Sequence, residues 1–207
     1  MNDPQEIHFP TGIRSVSIPV EFEAVARLRY AVYVDEMGRS QPHADHAGRT
    51  IHEPLDRCGI VLASFVADGE ATATVRLNSL ATSAIPSAEL YGFDAMDVVE
   101  RRRSAFCSKL VVAQRARGTL LGMQMLRAAT VTLIERGVHH AWLDCNDHLL
   151  PLYTACGFRT IRRADHPLFG TVTVMRLDLL DLEHLASIRS PLLRVVRGAL
   201  REQRRAA

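Results

Sequence analysis

The stretch Ser108–Ala129, SKLVVAQRARGTLLGMQMLRAA, holds the arrangement with the clearest chemical reading. Leu110-Val111-Val112 is a short apolar, β-branched run, and Ala113 to Arg117 is a polar turn. Gly118-Thr119-Leu120-Leu121-Gly122 then leads into a segment where Leu121, Met125, Ala128, Ala129 and Leu133 recur at helical spacing. Strand, glycine-bearing turn and helix start form a geometry that binds phosphate. The first N–H groups of a helix lack internal acceptors, and its dipole favours an anion there. Glycine lets a ligand come close to the backbone. The same pattern also serves as a plain turn in α/β proteins. Glu100-Arg101-Arg102-Arg103 reads either as a phosphate or carrier-protein contact or as a solvated helix end. His43, His46 and His52 lie in a polar loop without the helical i, i+4 spacing of a zinc site, and no cysteine accompanies them, so no metal is expected. Cys107 and Cys145 have no histidine at a readable spacing and read as packed thiols rather than nucleophiles.

These groups must be positioned by one domain's worth of chain. At 207 residues, 47% of them hydrophobic, the chain can bury a sizeable core. The net charge of +2 gives no whole-protein attraction to nucleic acid, and the arginine-rich tail has no stacking aromatics, so no nucleic-acid partner is expected. The four cysteines form no C-x-x-C pair and no leader-like segment is evident, which suggests free thiols in a reducing, cytoplasmic setting. No apolar run approaches the roughly 18 residues of a membrane span. The expected organisation is a loose N-terminus over 1–12, a single domain over 13–180, and a basic amphipathic helix within 181–207. In that last segment Leu192, Leu193, Val195, Val196 and Leu200 oppose Arg194, Arg197, Arg201, Arg204 and Arg205. Its basic face reads as solvated, or as a seat for a second subunit, an acidic carrier protein or a membrane surface.

In order, the pattern predicts a strand over Ile13–Ile18 and a helix from Pro19 carrying Phe22, Val25, Ala26, Leu28, Arg29, Val32 and Tyr33. Arg29 on such a helix reads by itself as solvated. The polar loop over 38–55 is long enough to read as a lid or substrate loop. Ile60–Ala67, the turn Asp68-Gly69-Glu70 and Ala71–Leu77 read as a β-hairpin, on the strength of an Asp-Gly turn between apolar runs. Residues 78–104 read as irregular. A strand over Ala105–Val112 precedes the helix that ends at Arg136-Gly137. A strand over Ala141–Cys145, a helix over Asp147–Ala155 and a hairpin of Phe158–Arg163 with Thr171–Leu179 complete the domain.

The segment VAQRARGTLLGMQML resembles the acyl-CoA-binding segment of the GNAT superfamily of N-acyltransferases, roughly V-x-P-x-x-R-G-x-G-x-G-x-x-L-[LI]. Val112, Arg117, Gly118, Gly122, Met125 and Leu126 fit it. Leu120 stands where the first glycine of the Gly-x-Gly pair is usual, and Gln114 where proline is common. Leu120 can still offer its N–H if its side chain points away. Trp142–Phe158, WLDCNDHLLPLYTACGF, is similar to the superfamily's later motif, with Asn146, Tyr153, Gly157 and Phe158 at the family spacing. Within the superfamily, Arg27–Gly38 resembles the first helix of the acyl-homoserine-lactone synthase and N-acyl amino acid synthase branch, with Arg29 and Tyr33 fitting. In that branch an acidic pair spaced like Glu53 and Asp56 lines the acceptor side. Thr74-Val75-Arg76-Leu77 resembles the end of its second strand. Arg76 would then face an acceptor carboxylate or organise Glu53 and Asp56; without the resemblance it reads as a surface arginine. The branch's Glu-x-Ser-Arg appears here as Phe106-Cys107-Ser108-Lys109. Ser108 matches and Lys109 keeps the charge, but Phe106 replaces the acid and argues against lactone formation.

The resemblance implies an α/β (α+β) GNAT fold: a central, mostly antiparallel, splayed sheet flanked by helices, with an extra C-terminal helix. It implies acyl transfer from a thioester to a primary amine by direct attack. That chemistry needs a base for the amine proton, donors for the oxyanion and an acid for the leaving thiolate. Leu110, Val111 and Val112 would hold the donor, through the amides of Leu110 and Val112. Arg117, Gly118, Thr119, Leu120, Leu121 and Gly122 would cradle its pyrophosphate. Asn146 would meet the pantetheine arm, or else cap a helix. Tyr153 would be the general acid, or else a core aromatic. Glu53, Asp56 and Glu100, in that order, are the candidate bases, and Arg29, Tyr33 and Arg76 the acceptor-side residues. The donor is acyl-CoA or an acyl carrier protein. The branch-like residues and Leu120 lean toward long acyl chains and a small, amino-acid-like amine acceptor. No metal is called for, and a homodimer stays open. The competing reading is a catalytically inactive GNAT-fold module that binds or senses acyl-CoA.

Overall fold

The computed structural model of the protein describes residues 12–206, with side chains up to Arg205. The loose N-terminus expected over 1–12 lies outside the described residues except for Gly12. The elements run β1 (Ile13–Ser15), α1 (Pro19–Tyr30), β2 (Ala44–Asp45), β3 (Thr50–Ile51), β4 (Ile60–Phe65), β5 (Ala71–Ser79), α2 (Ala88–Tyr91), α3 (Val98–Arg102) and β6 (Ser104–Val112). They continue with α4 (Leu121–Glu135), β7 (His140–Cys145), α5 (Leu150–Cys156), β8 (Arg159–His166), β9 (Gly170–Asp178), α6 (Leu182–Ser187) and α7 (Leu193–Ala206).

Seven strands form one sheet in the order β1-β4-β5-β6-β7-β9-β8, and β2-β3 form a separate small hairpin. β1 with β4, β7 with β9, and β8 with β9 are antiparallel. β6 and β7 are parallel, with Ser104, Ala105 and Phe106 opposite His140, Ala141 and Trp142. Farther along β6, Lys109 takes a left-handed backbone, φ 56°. A residue in that conformation interrupts a regular ladder, as in a β-bulge. The chain divides into two compact units. One runs from the start of the described residues to His52 and includes Ile60–Val75 and Lys109–Ala128; the other comprises Glu53–Gly59, Arg76–Ser108 and Ala129 onward.

In the first unit, Val16, Val25, Leu28, Val32, Val61, Ala63, Ala71, Val111 and Ala113 form the core. Helix α1 begins after Ile18, whose side chain cannot cap, so Glu21 takes over. Its carboxylate accepts from the Ser17 N–H at 3.1 Å and from Arg14 Nε at 2.8 Å. Burial pushes the Glu21 carboxyl up, but the bonds from Ser17 and Arg14 outweigh it and hold the group below its ordinary 4.5. A depressed folded-state value contributes stability above the unfolded value, and that stability is lost as pH falls through the folded value. Glu21→Ala should therefore cost about 1 kcal/mol at neutral pH, the usual scale for a lost cap. That is a few degrees in Tm for a chain of this size. Melts of wild type and variant should converge below pH 4.5.

The helix predicted to reach Tyr33 changes type on the way. After Tyr30 it continues as a π-helical turn, Ala31–Glu36, with Met37 N–H donating to Val32 O at 3.1 Å. Such wide turns are rare and often mark functional positions. Within the polar loop over 38–55, β2 and β3 pair Ala44 with Ile51 and Asp45 with Thr50. His46 Nδ1 bonds the Tyr30 hydroxyl at 2.9 Å, and His52 Nε2 bonds Glu23 at 3.0 Å. These two histidines tie the loop to α1.

In the second unit, Leu80, Ile85, Tyr91, Phe93, Phe106, Trp142 and Val174 form an aromatic-rich core. Residues 78–104, expected to be irregular, hold α2 and α3, the latter capped by Asp97 accepting from the Glu100 N–H at 2.8 Å. Arg101 donates to Leu80 O at 3.2 Å and to Phe93 O at 2.9 Å, so this arginine of the charged run secures backbone. Gly157 ends α5 at φ 109°, and a Cβ there would lie 2.5 Å from Leu185 Cδ2, so only glycine fits. The segment 181–207 holds two helices rather than one. Val196 and Ala199 of α7 are buried, Gln203 donates to Ile134 O at 2.9 Å, and its arginines are exposed. No helix among the described residues is long and apolar enough to cross a membrane.

Candidate active site

Strand β5 is buried along nearly its whole length, so a charge on it must be paired within the protein. Arg76 meets that demand. Its side chain is 3% exposed, and its Nη1 donates to Glu53 Oε2 and, at 3.3 Å, to Asp56 Oδ1. Its Nε donates to Ser108 Oγ at 3.2 Å. The reading of Arg76 as a surface residue is thus corrected: the side chain is buried and bonded to both Glu53 and Asp56.

The two acids are presented by a single 3₁₀ turn, Pro54–Asp56. Glu53 is extended at the cap position, with proline next, where its fixed φ suits a helix start. The Glu53 N–H donates to Asp56 Oδ2 at 3.1 Å, and the Glu53 side chain accepts from the backbone of Asp56, a reciprocal capping box. Behind the turn, Asn78 Nδ2 donates to Leu55 O at 3.0 Å and to Ser83 Oγ at 3.3 Å, while Ser83 Oγ donates to Cys58 O at 3.3 Å. A Cβ on Gly59 would lie 2.6 Å from Asn78 Nδ2. Asn78, Ser83 and Gly59 give no sign of this role in the sequence; only the Glu-Pro-x-Asp spacing signals the capped turn. The resulting cluster is a guanidinium between two carboxylates. It offers several carboxylate oxygens of fixed orientation, a surface suited to a polar, cationic acceptor. Glu100, the third candidate base, makes no hydrogen bond to this cluster among the described residues.

The other residues of the same unit sit as follows. Tyr153 on α5 is buried, with its ring edge-on to Phe158 at 5.6 Å between centroids. Asn146 occupies a cap position but makes no cap bond; its Nδ2 donates to Phe169 O at 3.5 Å. Burial, with Asp144 and Asp147 nearby, pushes the Cys145 thiol up to about 11. A thiol so held stays protonated at neutral pH and is a poor nucleophile.

In the first unit, β6 leads through Val112 and a 3₁₀ turn, Gln114–Ala116, to the start of α4. Gly118 is left-handed, φ 77°. The amides of Gly118, Thr119 and Leu120 have no hydrogen-bond acceptor among the described residues. Two amides of the expected phosphate cradle are already taken: the Arg117 N–H donates to Gln114 O at 3.2 Å, and the Leu121 N–H donates to Thr119 Oγ1 at 3.2 Å, while Thr119 Oγ1 donates to Ala116 O at 2.7 Å. Leu120 points its side chain to solvent at 72% exposure, which leaves its backbone available despite the missing glycine. A Cβ on Gly122 would lie 3.7 Å from Val112 Cγ2, an ordinary contact. Arg117 Nε donates to Val112 O at 3.0 Å and its Nη2 to Glu36 Oε2 at 2.5 Å. Leu110 and Val112 are half-buried and Val111 is buried. Tyr33, from the π-helical turn, carries Lys109 Nζ over its ring at 4.8 Å, and Lys109 donates to Gln41 Oε1 at 3.4 Å. Arg29 is 1% exposed, so its reading as solvated is overturned.

Comparison with known proteins bears on this geometry. The model of the family described as N-acyl amino acid synthase FeeM matches residues 24–178. A comparison with curated protein sequences finds no match. Among solved structures, FeeM, an N-acyl amino acid synthase from uncultured soil microbes, aligns with a TM-score of 0.67 at 13% identity, over 88% of this chain and 96% of that one. The CoA-dependent acyl-homoserine lactone synthase MesI aligns with a TM-score of 0.61 at 16% identity, over 86% of each chain. An acyl-CoA N-acyltransferase from Pseudomonas aeruginosa aligns with a TM-score of 0.56 at 20% identity, over 80% of this chain and 97% of that one. At these identities the shared feature is the GNAT fold: a mostly antiparallel central sheet flanked by helices.

Proposed function

As a member of the N-acyl amino acid synthase FeeM family, to which this chain belongs, the protein is an N-acyltransferase, and we propose that it moves a long acyl chain from a phosphopantetheine thioester to the amine of a small, amino-acid-like acceptor. The observation that carries the acceptor side is the buried Arg76 held between Glu53 and Asp56. On this reading the carboxylates of that cluster receive the acceptor's ammonium, and one of them, Glu53 before Asp56, takes its proton. The neutral nitrogen attacks the thioester carbonyl. The carbon–sulfur bond breaks as the amide forms, and the Tyr153 hydroxyl gives its proton to the leaving thiolate. The amides of Leu110 and Val112, just after the left-handed residue Lys109, bind the donor arm and its developing oxyanion. Gly118, Thr119 and Leu120 present their amides to the donor phosphate. Asn146 meets the pantetheine, and Arg29 and Tyr33 shape the acceptor side. The donor is acyl-CoA or an acyl carrier protein.

The test is binding of acetyl-CoA, palmitoyl-CoA and a long-chain acyl carrier protein to the purified chain, measured side by side by calorimetry. Tighter binding of the long-chain donors is expected. Preference for acetyl-CoA would overturn the long-chain reading, and binding of none would overturn the donor loop. A second reading, a module that binds acyl thioesters without turnover, has Leu120 in the glycine position in its favour; replacement of Tyr153 separates the two.

A further inference from the structure

We infer that Glu36 sets the choice among acyl donors by holding Arg117 in place of a donor phosphate; the inference rests on the donor-loop reading above. The loop over 117–122 offers an anion two kinds of donor: three backbone amides and the guanidinium of Arg117. The amides have no acceptor among the described residues, but the guanidinium is engaged at both ends. Its Nε is held by Val112 O at 3.0 Å, which fixes the side chain beside the end of β6. Its Nη2 donates to Glu36 Oε2 at 2.5 Å, so a carboxylate lies where this cation would meet a phosphate oxygen.

Carboxylate and phosphate compete for a guanidinium because both match its planar fork of donors. Glu36 closes the π-helical turn Ala31–Glu36, whose wide hydrogen bond, Met37 N–H to Val32 O, is followed by an ordinary one, Gly38 N–H to Val34 O; together they set where the carboxylate stands. It is also the better shielded partner, 26% exposed against 46% for Arg117. A donor with several phosphates must therefore share Arg117 with Glu36 or displace it, and in either case sit beside its negative charge. Coenzyme A, with a diphosphate and a ribose phosphate, bears this cost most heavily. A thioester on phosphopantetheine alone, with one phosphate group, bears less of it, and a pantetheine thioester none. Glu36 is thus a specificity-determining residue that weakens the grip on the nucleotide end of a donor and leaves recognition to the arm and acyl chain.

The experiment compares palmitoyl-CoA with palmitoyl-pantetheine as donors to a mixture of the standard amino acids, on wild type and Glu36→Gln, together with calorimetry of free coenzyme A. Glutamine keeps the shape and removes the charge. The expected result is a KM for palmitoyl-CoA roughly tenfold lower in Glu36→Gln, with kcat unchanged and the KM for palmitoyl-pantetheine unmoved. Free coenzyme A should bind correspondingly tighter, and the gain should shrink at high salt and vanish in Glu36→Gln/Arg117→Met. An unchanged or raised KM for palmitoyl-CoA in Glu36→Gln overturns the inference. If wild type turns over neither thioester, the acyltransferase assignment of the site fails, while coenzyme A binding to the two proteins still decides the role of Glu36.

Discussion

Arg76→Met should lose a large share of the protein's stability and all measurable acyl transfer. The guanidinium is 3% exposed and lies against carboxylates that are themselves only 12% and 11% exposed. Removing it leaves two negative charges facing each other with little water to screen them. Breaking a buried ion pair from one side costs about 3–5 kcal/mol, against a total of roughly 5–15 kcal/mol for a typical domain. Urea unfolding followed by circular dichroism should show the midpoint falling accordingly. Adding Glu53→Gln and Asp56→Asn to Arg76→Met removes the stranded charges and should return much of the stability without returning activity. No recovery in the triple variant would show that charge is not what Arg76 balances. Arg76→Lys separates fold from function differently. It keeps the charge, but a compact ammonium cannot reach Glu53, Asp56 and Ser108 at once as the planar fork does. It should fold, bind acyl donor normally and show a KM for acceptor at least tenfold higher.

Tyr153→Phe should lower kcat by about 10²-fold or more, the usual scale for loss of a general acid, with donor binding unchanged. The substitution removes only the hydroxyl, and the ring keeps its edge-on packing against Phe158. The fold should therefore hold, and calorimetry with the acyl donor should return the wild-type affinity. Single-turnover rates would isolate the chemical step from product release. A donor with a thiol leaving group of lower pKa should recover part of the loss, because its thiolate needs protonation less. A full wild-type rate would remove Tyr153 from the chemistry and leave it as the core aromatic its burial also permits.

Much of the scaffold was legible because its signals are local. The Asp-Gly turn announced the β4–β5 hairpin, and Gly157 announced the end of α5 at a position where no other residue fits. The glycine-bearing turn before α4 is where the motif put it. The change from α to π helix after Tyr30 was not legible, since the apolar period of Val25, Leu28 and Val32 suits either hydrogen-bond pattern. Nor was the hairpin inside the loop over 38–55, whose strands are two residues each and depend on histidine bonds to α1.

For the site, the sequence alone supplied the candidates as types and spacings: the acids three apart after a polar loop, an arginine near the end of a strand, the turn before a helix, the tyrosine between asparagine and Gly-Phe. It also determined membership of a family, because motifs in a set order are a property of the chain itself. Only the tertiary structure decided what each charge faces. Arg76 and Glu53 are 23 residues apart in the chain, and Arg117 and Glu36 are 81 apart. An arginine looks the same in sequence whether it meets water, as on α7, two backbone carbonyls, as Arg101 does, or two carboxylates, as Arg76 does. Burial and partner choice come from chain segments brought together by the folded core, and no local pattern encodes them.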